Sequence, residues 1–436
     1  MTTKITEQNI SNLANIGIQW QSKITSDGST VTTLSAGKGY FVDNSSAAGL
    51  VKLPASASAG DTIVIKDYAG NFATNKLTIQ RNSHKIQGAA NNSEIGTNRA
   101  SVTLVYIDAT KGWLYTNESN VGNLELPTFI SATGGTVSNS GNDRIHTFTG
   151  DGNFVVASLS NTSANNKVGY LVVAGGGGGG RGCSAGGGGA GGFREGRCGP
   201  ITPYTDSPLS TSGLTATVAT FPITVGGGGA GLALSGDPAS GNQGSNSVFS
   251  TITSAGGGFG AGSQPTGNGA AGGSGGGGAH HQGSAGNGNT PPVSPPQGNR
   301  GEPSQPVTGP APSDAGGGGG GATAVAADSC TSHAGGAGAT THITGSPVTY
   351  AGGGGGSNRC GGSDPDTAGG SGGGGRGGHG PRSGSTPASQ VSGQDGTANT
   401  GGGGGGGSRR YNPGPNEKGA GGAGGKGIVV IRYKIQ

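Results

Sequence analysis

Charged and aromatic residues are scarce in this sequence. Only 11% of its 436 residues are Asp, Glu, Lys or Arg, and 5% are aromatic, whereas about 25% of an average globular protein is charged. Glycine takes their place, with 103 residues against a usual share of about 7%. Most of the glycines lie between residues 174 and 427. One conventional globular core is therefore excluded, and at least two kinds of architecture share the chain.

Several common classes of partner and location are also disfavoured. The net charge is only +4, and no Lys/Arg cluster is longer than Arg409-Arg410, so nothing favours nucleic acid or an anionic membrane as a partner. The first residues lack the apolar core of a signal peptide, and no apolar run is long enough to span a bilayer. We expect a protein made in the cytoplasm without a signal peptide or membrane insertion.

Cysteine is rare, and its spacing fits no metal or haem motif. No C-x-x-C occurs, which leaves two interpretations open. The residues are either paired in disulfides that tie glycine-rich layers together or buried as free thiols, and only geometry decides between them. The four residues are Cys183, Cys198, Cys330 and Cys360.

Motifs for catalysis are uninformative here. The G-x-S-x-G pattern occurs at residues 182–186 and 272–276, but a nucleophile elbow also needs a strand before it and a helix after it. The segment around Lys426 fails the P-loop pattern. The adjacent His280 and His281 are more typical of a surface than of a metal site. We expect no enzyme activity, no cofactor and no bound metal.

Short runs rich in Val, Ile, Thr and Tyr, separated by turn signals, predict a mostly β fold. We expect an attachment or docking segment over residues 1–36, with a short helix from Thr6 to Leu13, and a β-sandwich domain over residues 37–120. The predicted strands of that domain lie at residues 39–42, 50–53, 62–65, 77–79, 102–106 and 112–115.

A second β module is predicted over residues 121–173, with strands at 144–149, 153–156 and 168–173. The only strongly strand-like stretch near the C-terminus is 427–434, and it needs a partner. We expect residues 427–435 to complete the second module by pairing beside Tyr170 to Val173. That pairing would close residues 174–426 into one glycine-rich loop.

The glycine runs have three interpretations. A flexible linker is disfavoured because Ala, Val, Phe and Tyr recur between runs of five to seven Gly, and collagen is excluded because there is no G-X-Y period. The third is a bundle of polyglycine II helices, which can approach closely and form lateral backbone hydrogen bonds. Six Gly at about 3.1 Å each would span roughly 19 Å, which suggests a thin slab of rods closed by the C-terminal strand.

Several segments resemble the glycine-rich domain of bacteriophage tail-fibre and related virion adhesins of T-even-like and marine phages. The resemblance is carried by Leu171-Val172-Val173-Ala174 with its following Gly run, Gly186 to Arg194, Ile223 to Gly231, and Gly424 to Tyr433. Residues 53–115 are similar to a β module of such tail proteins. In that family a polyglycine-helix sandwich presents variable loops that bind a receptor. This chain departs from it by carrying its own N-terminal β modules and a long Pro-rich insertion.

The resemblance implies a virion adhesin that binds a host cell-surface receptor, either an outer-membrane protein or a glycan. It also implies contacts with other tail proteins and a homo-oligomer, with a trimer as the hypothesis drawn from the tail-fibre resemblance. The alternative is a structural protein of an extracellular or virion filament without receptor binding. If the rods are scaffold, recognition falls to loops that carry large polar side chains. The candidate residues are His280, His281, Arg300, Arg359, Arg376, His379, Arg409, Arg410 and Tyr411.

Overall fold

A computed structural model describes most of the chain: residues 17–120, 128–234, 238–263, 267–279, 282–304, 315–327, 332–358, 367–379, 392–408 and 419–436. These residues form 24 strands and a single 3-10 turn, Ser163–Asn165, so the predicted mostly β fold is confirmed. The chain divides into two compact units, Met1–Leu126 and Pro127–Gln436. The helix expected from Thr6 to Leu13 lies outside the described residues.

The first unit consists of two sheets around one core. Their strand orders are β1-β4-β6-β9-β10, with β2 beside β4, and β3-β5-β7-β8. The strands are β1 (Gln19–Trp20), β2 (Ile24–Thr25), β3 (Val31–Thr33), β4 (Lys38–Asp43), β5 (Gly49–Lys52), β6 (Thr62–Asp67), β7 (Leu77–Gln80), β8 (Ser93–Ile95), β9 (Ala100–Asp108) and β10 (Gly112–Asn120).

The chain of the first unit winds back and forth between these two sheets. Strands β3 to β7 alternate between them, and neighbours such as β4 and β6 or β5 and β7 pair in parallel. Both sheets contribute buried side chains to one cluster, for example Ile63 and Leu104 from one sheet and Val51 and Ile79 from the other. The sequence indicated the strands but not this parallel winding, because strand spacing carries no information on pairing direction.

The second unit has two larger sheets, ordered β12-β13-β24-β15-β16-β17, with β18 on β15, and β11-β14-β19-β20-β21, together with the hairpin β22-β23. The strands are β11 (Ser131–Thr133), β12 (Thr136–Ser140), β13 (Asp143–Phe148), β14 (Gly152–Ser158), β15 (Lys167–Val173), β16 (Phe193–Arg197), β17 (Ser210–Ser212), β18 (Leu214–Thr215), β19 (Ala219–Thr224), β20 (Ser247–Phe249), β21 (Ile252–Ser254), β22 (Ala339–Thr341), β23 (Val348–Tyr350) and β24 (Ile428–Lys434).

Strand β24 lies between β13 and β15 and is antiparallel to both. Tyr170 stands opposite Ile431, so the two ends of the glycine-rich region meet in one sheet as the sequence suggested. Both faces of β24 are covered: Val429 and Ile431 pack into the core against the second sheet, and Ile428 and Val430 pack on the other side. Because neither face meets water, the strand reads as a nearly continuous apolar run.

Backbone hydrogen bonds in the glycine-rich region follow a period of three residues. Along residues 174–180 every third N–H donates to the same neighbouring segment, as Gly177 does to Gly189 and Gly180 does to Gly186. Three residues per turn is the repeat of the extended polyproline II type of helix. In polyproline this helix leaves its backbone polar groups to solvent. Here the backbone groups of neighbouring glycine segments form lateral hydrogen bonds with one another. We call each such helix a rod.

Rod 185–192 lies at the centre of the bundle. Each of its eight N–H groups donates to a carbonyl of another rod, and its own carbonyls accept from three further rods. Six rods therefore surround it. The donors reach rods 255–262, 315–322 and 401–408, and the carbonyls accept from rods 174–180, 274–279 and 351–358.

A second ring of rods encloses these six. Its described members are 226–232, 239–246, 267–273, 283–289, 297–304, 323–327, 332–338, 367–371, 374–379, 392–397 and 419–427, each joined to an inner rod or to its neighbour by backbone hydrogen bonds. The bundle is hexagonal, because successive residues of a three-fold helix point their N–H and C=O groups in three directions rather than in one plane.

Beside rod 255–262 the described residues leave one position of the second ring without a rod, and side chains replace its backbone. Asn246 Oδ1 accepts a hydrogen bond from the N–H of Gly256 at 2.9 Å. Gln243 Nε2 crosses over the rod and donates to the carbonyl of Ala271 at 2.9 Å. Buried backbone groups must be paired, so amide side chains complete the network where the lattice ends.

Glycine content reports the position of a rod in the bundle. A Cβ added at almost any glycine of an inner rod would overlap a neighbouring backbone, as at Gly176 against the carbonyl of Gly402. An outer rod has one side without a neighbouring rod, and every third residue of the outer rod faces that side. Rod 419–427 accordingly carries Ala420, Ala423 and Lys426 among its glycines.

Adjacent glycines of rod 226–232 test this arrangement. A Cβ at Gly228 would overlap the carbonyl of Gly424, whereas a Cβ at Gly227 meets nothing within 4 Å. We expect Gly228→Ala to lower the free energy of unfolding by about 1–3 kcal/mol through overpacking. Gly227→Ala should leave it unchanged or raise it by up to about 1 kcal/mol, because it restricts the unfolded chain. Chemical denaturation of both variants measures the difference, and equal effects would contradict the packing.

Candidate functional site

The rods run between two ends of the bundle that differ in character. At one end the rods continue into the sheets: rod 174–180 follows β15, and rod 419–427 precedes β24. We call this the sheet end and the opposite one the distal end. At the distal end the chain passes from rod to rod through segments that contain most of the large polar residues of this region.

Contacts between described residues place many rod ends together in one distal layer. The N–H of Ser357 donates to the carbonyl of Ala185 at 3.0 Å. Ser408 Oγ donates to the carbonyl of Asn358 at 2.8 Å, and Asn358 also bridges to Ala315 and His379. Five stretches of chain that are far apart in sequence thus end within a hydrogen bond or two of one another.

Most of the candidate recognition residues belong to chain segments that start and finish in this distal layer. His280, His281, Arg359, Arg409, Arg410 and Tyr411 lie outside the described residues, as do Cys330 and Cys360. The described residues that precede them, Ala279, Asn358 and Ser408, are buried rod ends. The fold therefore brings to one end three described rod ends that are spread over about 130 positions of the sequence.

Two of the predicted loop residues are not in loops. Arg300 lies in rod 297–304 and Arg376 in rod 374–379, and both side chains are exposed. Arg376 Nε donates to Thr367 Oγ1 of a neighbouring rod at 3.3 Å. Arg376 and the half-buried His379 are one helical turn apart, so they share the open side of their rod. The sequence misled here because a three-residue repeat of Gly-Gly-Arg and Gly-Gly-His is itself a rod pattern.

The Pro-rich insertion begins at the sheet end, where the N–H of Thr290 donates to the carbonyl of Gly272 at 3.0 Å. Gln297 closes this part: its Oε1 accepts from the N–H of Ala255, and its Nε2 donates to the carbonyl of Pro291. Rod 297–304 then leads towards the distal end.

Buried charged groups fix the sheet end of the bundle. Asp143 Oδ2 accepts from Arg432 Nη2 at 2.8 Å, and both side chains are buried. Burial raises the pKa of the Glu195 carboxyl, which accepts from the N–H of Ser207 at 2.9 Å and from Thr341 Oγ1 at 2.5 Å. These groups tie the segment between β16 and β17 and the β22-β23 hairpin to the sheet.

The two described cysteines occupy opposite ends of the bundle. Cys183 is in the distal turn after rod 174–180, where its N–H bonds to Ser263 Oγ at 3.0 Å. Cys198 lies beside the sheets, next to Gly213. No disulfide joins Cys183 to Cys198, and pairings with Cys330 or Cys360 stay a prediction, because those residues are not described.

One exposed aromatic pair was not singled out from the sequence. Trp20 and Phe41 stack with ring centroids 4.5 Å apart, and their side chains are 49% and 36% exposed. Trp20 also covers Gly39, the residue opposite it on β4. Period-two alternation along β4 assigns Phe41 to the outer face, so the exposed position could have been found, although not its stacking partner.

The described part of the chain contains no group of three or more His, Cys, Asp or Glu that could hold a metal ion. It also has no helix with the length and apolarity needed to cross a membrane.

A bundle of hydrogen-bonded polyglycine rods that is anchored in a β sheet defines a glycine-rich domain. Comparison with known families agrees with that class. The profile of the family described as glycine-rich domain matches residues 149–434, about two thirds of the sequence. The chain belongs to this family. No curated protein matches it.

Burial of Cys198 has a measurable consequence. It raises the pKa of the thiol to about 11, so the folded protein should carry more than about 100-fold less thiolate at pH 8.5 than an unfolded cysteine, whose pKa is about 8.5. We expect alkylation of Cys198 by iodoacetamide to rise about tenfold per pH unit up to pH 10. In urea the rate should level off near pH 9. Mass spectrometry of the Cys198 peptide measures both, and a plateau near pH 8.5 in the folded protein would refute the shift.

Proposed function

We propose that this protein is a bacteriophage virion adhesin that attaches to the host cell surface through the distal end of its glycine-rich bundle. The observation that carries the proposal is that described rod ends from five distant stretches of the chain meet at the distal end. The candidate residues His280, Arg359 and Arg409 directly follow such rod ends in the sequence. Large polar side chains carried beside a fixed scaffold suit recognition.

The bundle supports this role through stiffness. The central rod 185–192 is held by backbone hydrogen bonds on all sides, and no side chain there needs to repack when a distal segment changes. Sequence changes in the distal segments are therefore compatible with an unchanged scaffold. This separation of scaffold and surface is the property that a protein facing a variable receptor needs.

The receptor is proposed to be an outer-membrane protein or a glycan. Arginine and tyrosine supply most of the candidate contacts, and both are enriched at binding hot spots. The proposed location is the virion, as part of a tail or fibre, and the proposed assembly is a homo-oligomer, with a trimer as the working hypothesis. Light scattering of the purified chain tests the assembly, since a monomeric mass would remove it.

The test of adhesion compares the two ends of the bundle. Fluorescently labelled full-length protein is incubated with a panel of bacterial strains, beside a variant whose residues 409–418 are replaced by a Gly/Ser segment of equal length. The control variant replaces Gly345, Ser346 and Pro347, which are exposed at the sheet end. We expect saturable binding to at least one strain that the distal change lowers at least tenfold and the control leaves intact.

Two results would count against adhesion. Equal loss in both variants would place the contact elsewhere. Absence of binding to every strain, together with regular fibres of the purified protein in electron micrographs, would favour the structural filament.

The first unit is proposed to attach the protein to other tail proteins, and the Trp20–Phe41 pair supports this. An exposed stacked pair of aromatic rings loses little conformational freedom on binding and buries much apolar area.

We expect Trp20→Ala to weaken incorporation into particles at least tenfold, without changing cell binding by the purified chain. Exposed Tyr68→Ala in the same unit is the control. Particle-bound protein is measured by immunoblot, and full incorporation of the Trp20 variant would contradict this role.

A further inference from the structure

A cavity of about 230 Å³ opens into the core between the two large sheets of the second unit. Its walls are apolar and come from five strands and the segment that links β18 to β19. They are formed by Phe154, Val168, Leu214, Ala216, Phe221 and Phe249. None of these residues belongs to the distal end or to the polyglycine bundle, so the cavity is separate from the proposed adhesive surface.

Three phenylalanine rings shape the inside of this cavity. Phe249 meets Phe154 edge to face with centroids 6.1 Å apart and meets Phe221 in the same way at 6.0 Å. Val168 and Leu214 stand opposite each other on β15 and β18 and form another wall. Edge-to-face rings leave positive ring edges and negative ring faces directed at the space between them, which suits an aromatic guest as well as an aliphatic one.

The mouth of the cavity is polar and exposed. Thr215, Ser250 and Thr251 line it, and all three are exposed to solvent. Ser250 has a φ of +53°, a conformation uncommon for a residue with a side chain, and it forms the tight turn between β20 and β21. A guest whose apolar part enters the cavity can therefore keep one hydroxyl, N–H or carboxylate at the rim.

The size of the cavity limits the guest. An engineered apolar cavity of about 150 Å³ stays dry and binds benzene or xenon, and this one is larger. It has room for one single or fused aromatic ring or for a short alkyl chain, but not for a drug-sized molecule, whose sites run from about 300 Å³ upwards. No charged side chain is among the residues that line it, so a charge can be accommodated only at the mouth.

We propose that the second unit binds a small apolar molecule in this cavity: an aromatic ring system of the size of indole, or an alkyl chain of roughly six to eight carbons, with a polar group at the Ser250 and Thr251 rim. The ring or alkyl chain that enters the cavity can belong to a free metabolite or can be the end of a larger amphiphile. Binding here does not depend on the adhesive role of the distal end.

Titration calorimetry and ligand-observed NMR with the full-length protein test the proposal, using indole and octanoate as probes. Ala216→Leu fills the cavity from a buried wall position, and Ala157→Leu adds the same atoms at an exposed position of β14. We expect saturable binding of at least one probe to the natural protein, at least tenfold weaker binding to the Ala216 variant, and no change in the Ala157 variant. Comparing the two probes, with octane-1-ol as a third, separates ring from chain as the preferred guest.

A second variant, Leu214→Ala, tests the proposal if the Ala216→Leu variant does not unfold cooperatively. It enlarges the same cavity, so it should bind a larger fused ring, naphthalene-2-ol, at least tenfold more tightly than the natural protein does. The proposal is overturned if no probe saturates the natural protein below its solubility limit, or if a cooperatively folded Ala216 variant binds as well as the natural protein.

Discussion

The lateral hydrogen bond between backbones, repeated every third residue, is the interaction on which the second unit depends. A single such bond contributes only about 0.5–1.5 kcal/mol net, while ordering one glycine costs more than ordering any other residue. The bundle is therefore favourable only if nearly every N–H and C=O is used. In the central rod every N–H has an acceptor in another rod. Hexagonal packing is the arrangement that achieves this, because three directions of donors and three of acceptors are then all occupied.

The need to use every backbone group explains where side chains are allowed. At most glycine positions of the interior rods there is no room even for a methyl group, as the overlap expected at Gly176 illustrates. Where the lattice ends, side chains either face solvent at every third position or, like Asn246 beside Gly256, supply the missing acceptor. The adjoining sheet holds the rods in register, since β15 leads into the first rod and β24 receives the last. Its buried Arg432 and Asp143 fix the strand on which this closure depends.

The sequence predicted much of this organisation, for identifiable reasons. Long glycine runs without a collagen period indicated rods, and the apolar run ending at Tyr433 indicated a strand in need of a partner; both inferences rest on local patterns. The hexagonal arrangement could not be predicted in the same way, because it depends on which rods meet. In retrospect the one-in-three spacing of Ala420, Ala423 and Lys426 was the available signal for an outer rod.

The candidate site was only partly accessible to sequence reasoning. Large polar residues among glycines marked the distal connections, but the same criterion selected Arg300 and Arg376, which lie on the sides of rods. To distinguish residues of the distal connections from residues on the sides of rods, one must know which position of the three-residue repeat each residue occupies. The parallel winding of the first unit and the Trp20–Phe41 contact were inaccessible for a related reason: both are pairings between strands, and a single strand does not specify its neighbour.

The central place of β24 has a consequence for the order of events during synthesis. This strand follows every rod along the chain, and 254 residues separate β15 from it. At about 5–20 residues per second, a ribosome needs roughly 13–50 seconds to translate that interval. During this interval the position between β13 and β15 in the sheet is empty, and the emerging rods lack the anchor that β24 provides at their C-terminal end. Nascent chains of this protein are therefore long-lived, glycine-rich coils that become ordered late. Prematurely terminated chains lack β24, the strand that completes the fold.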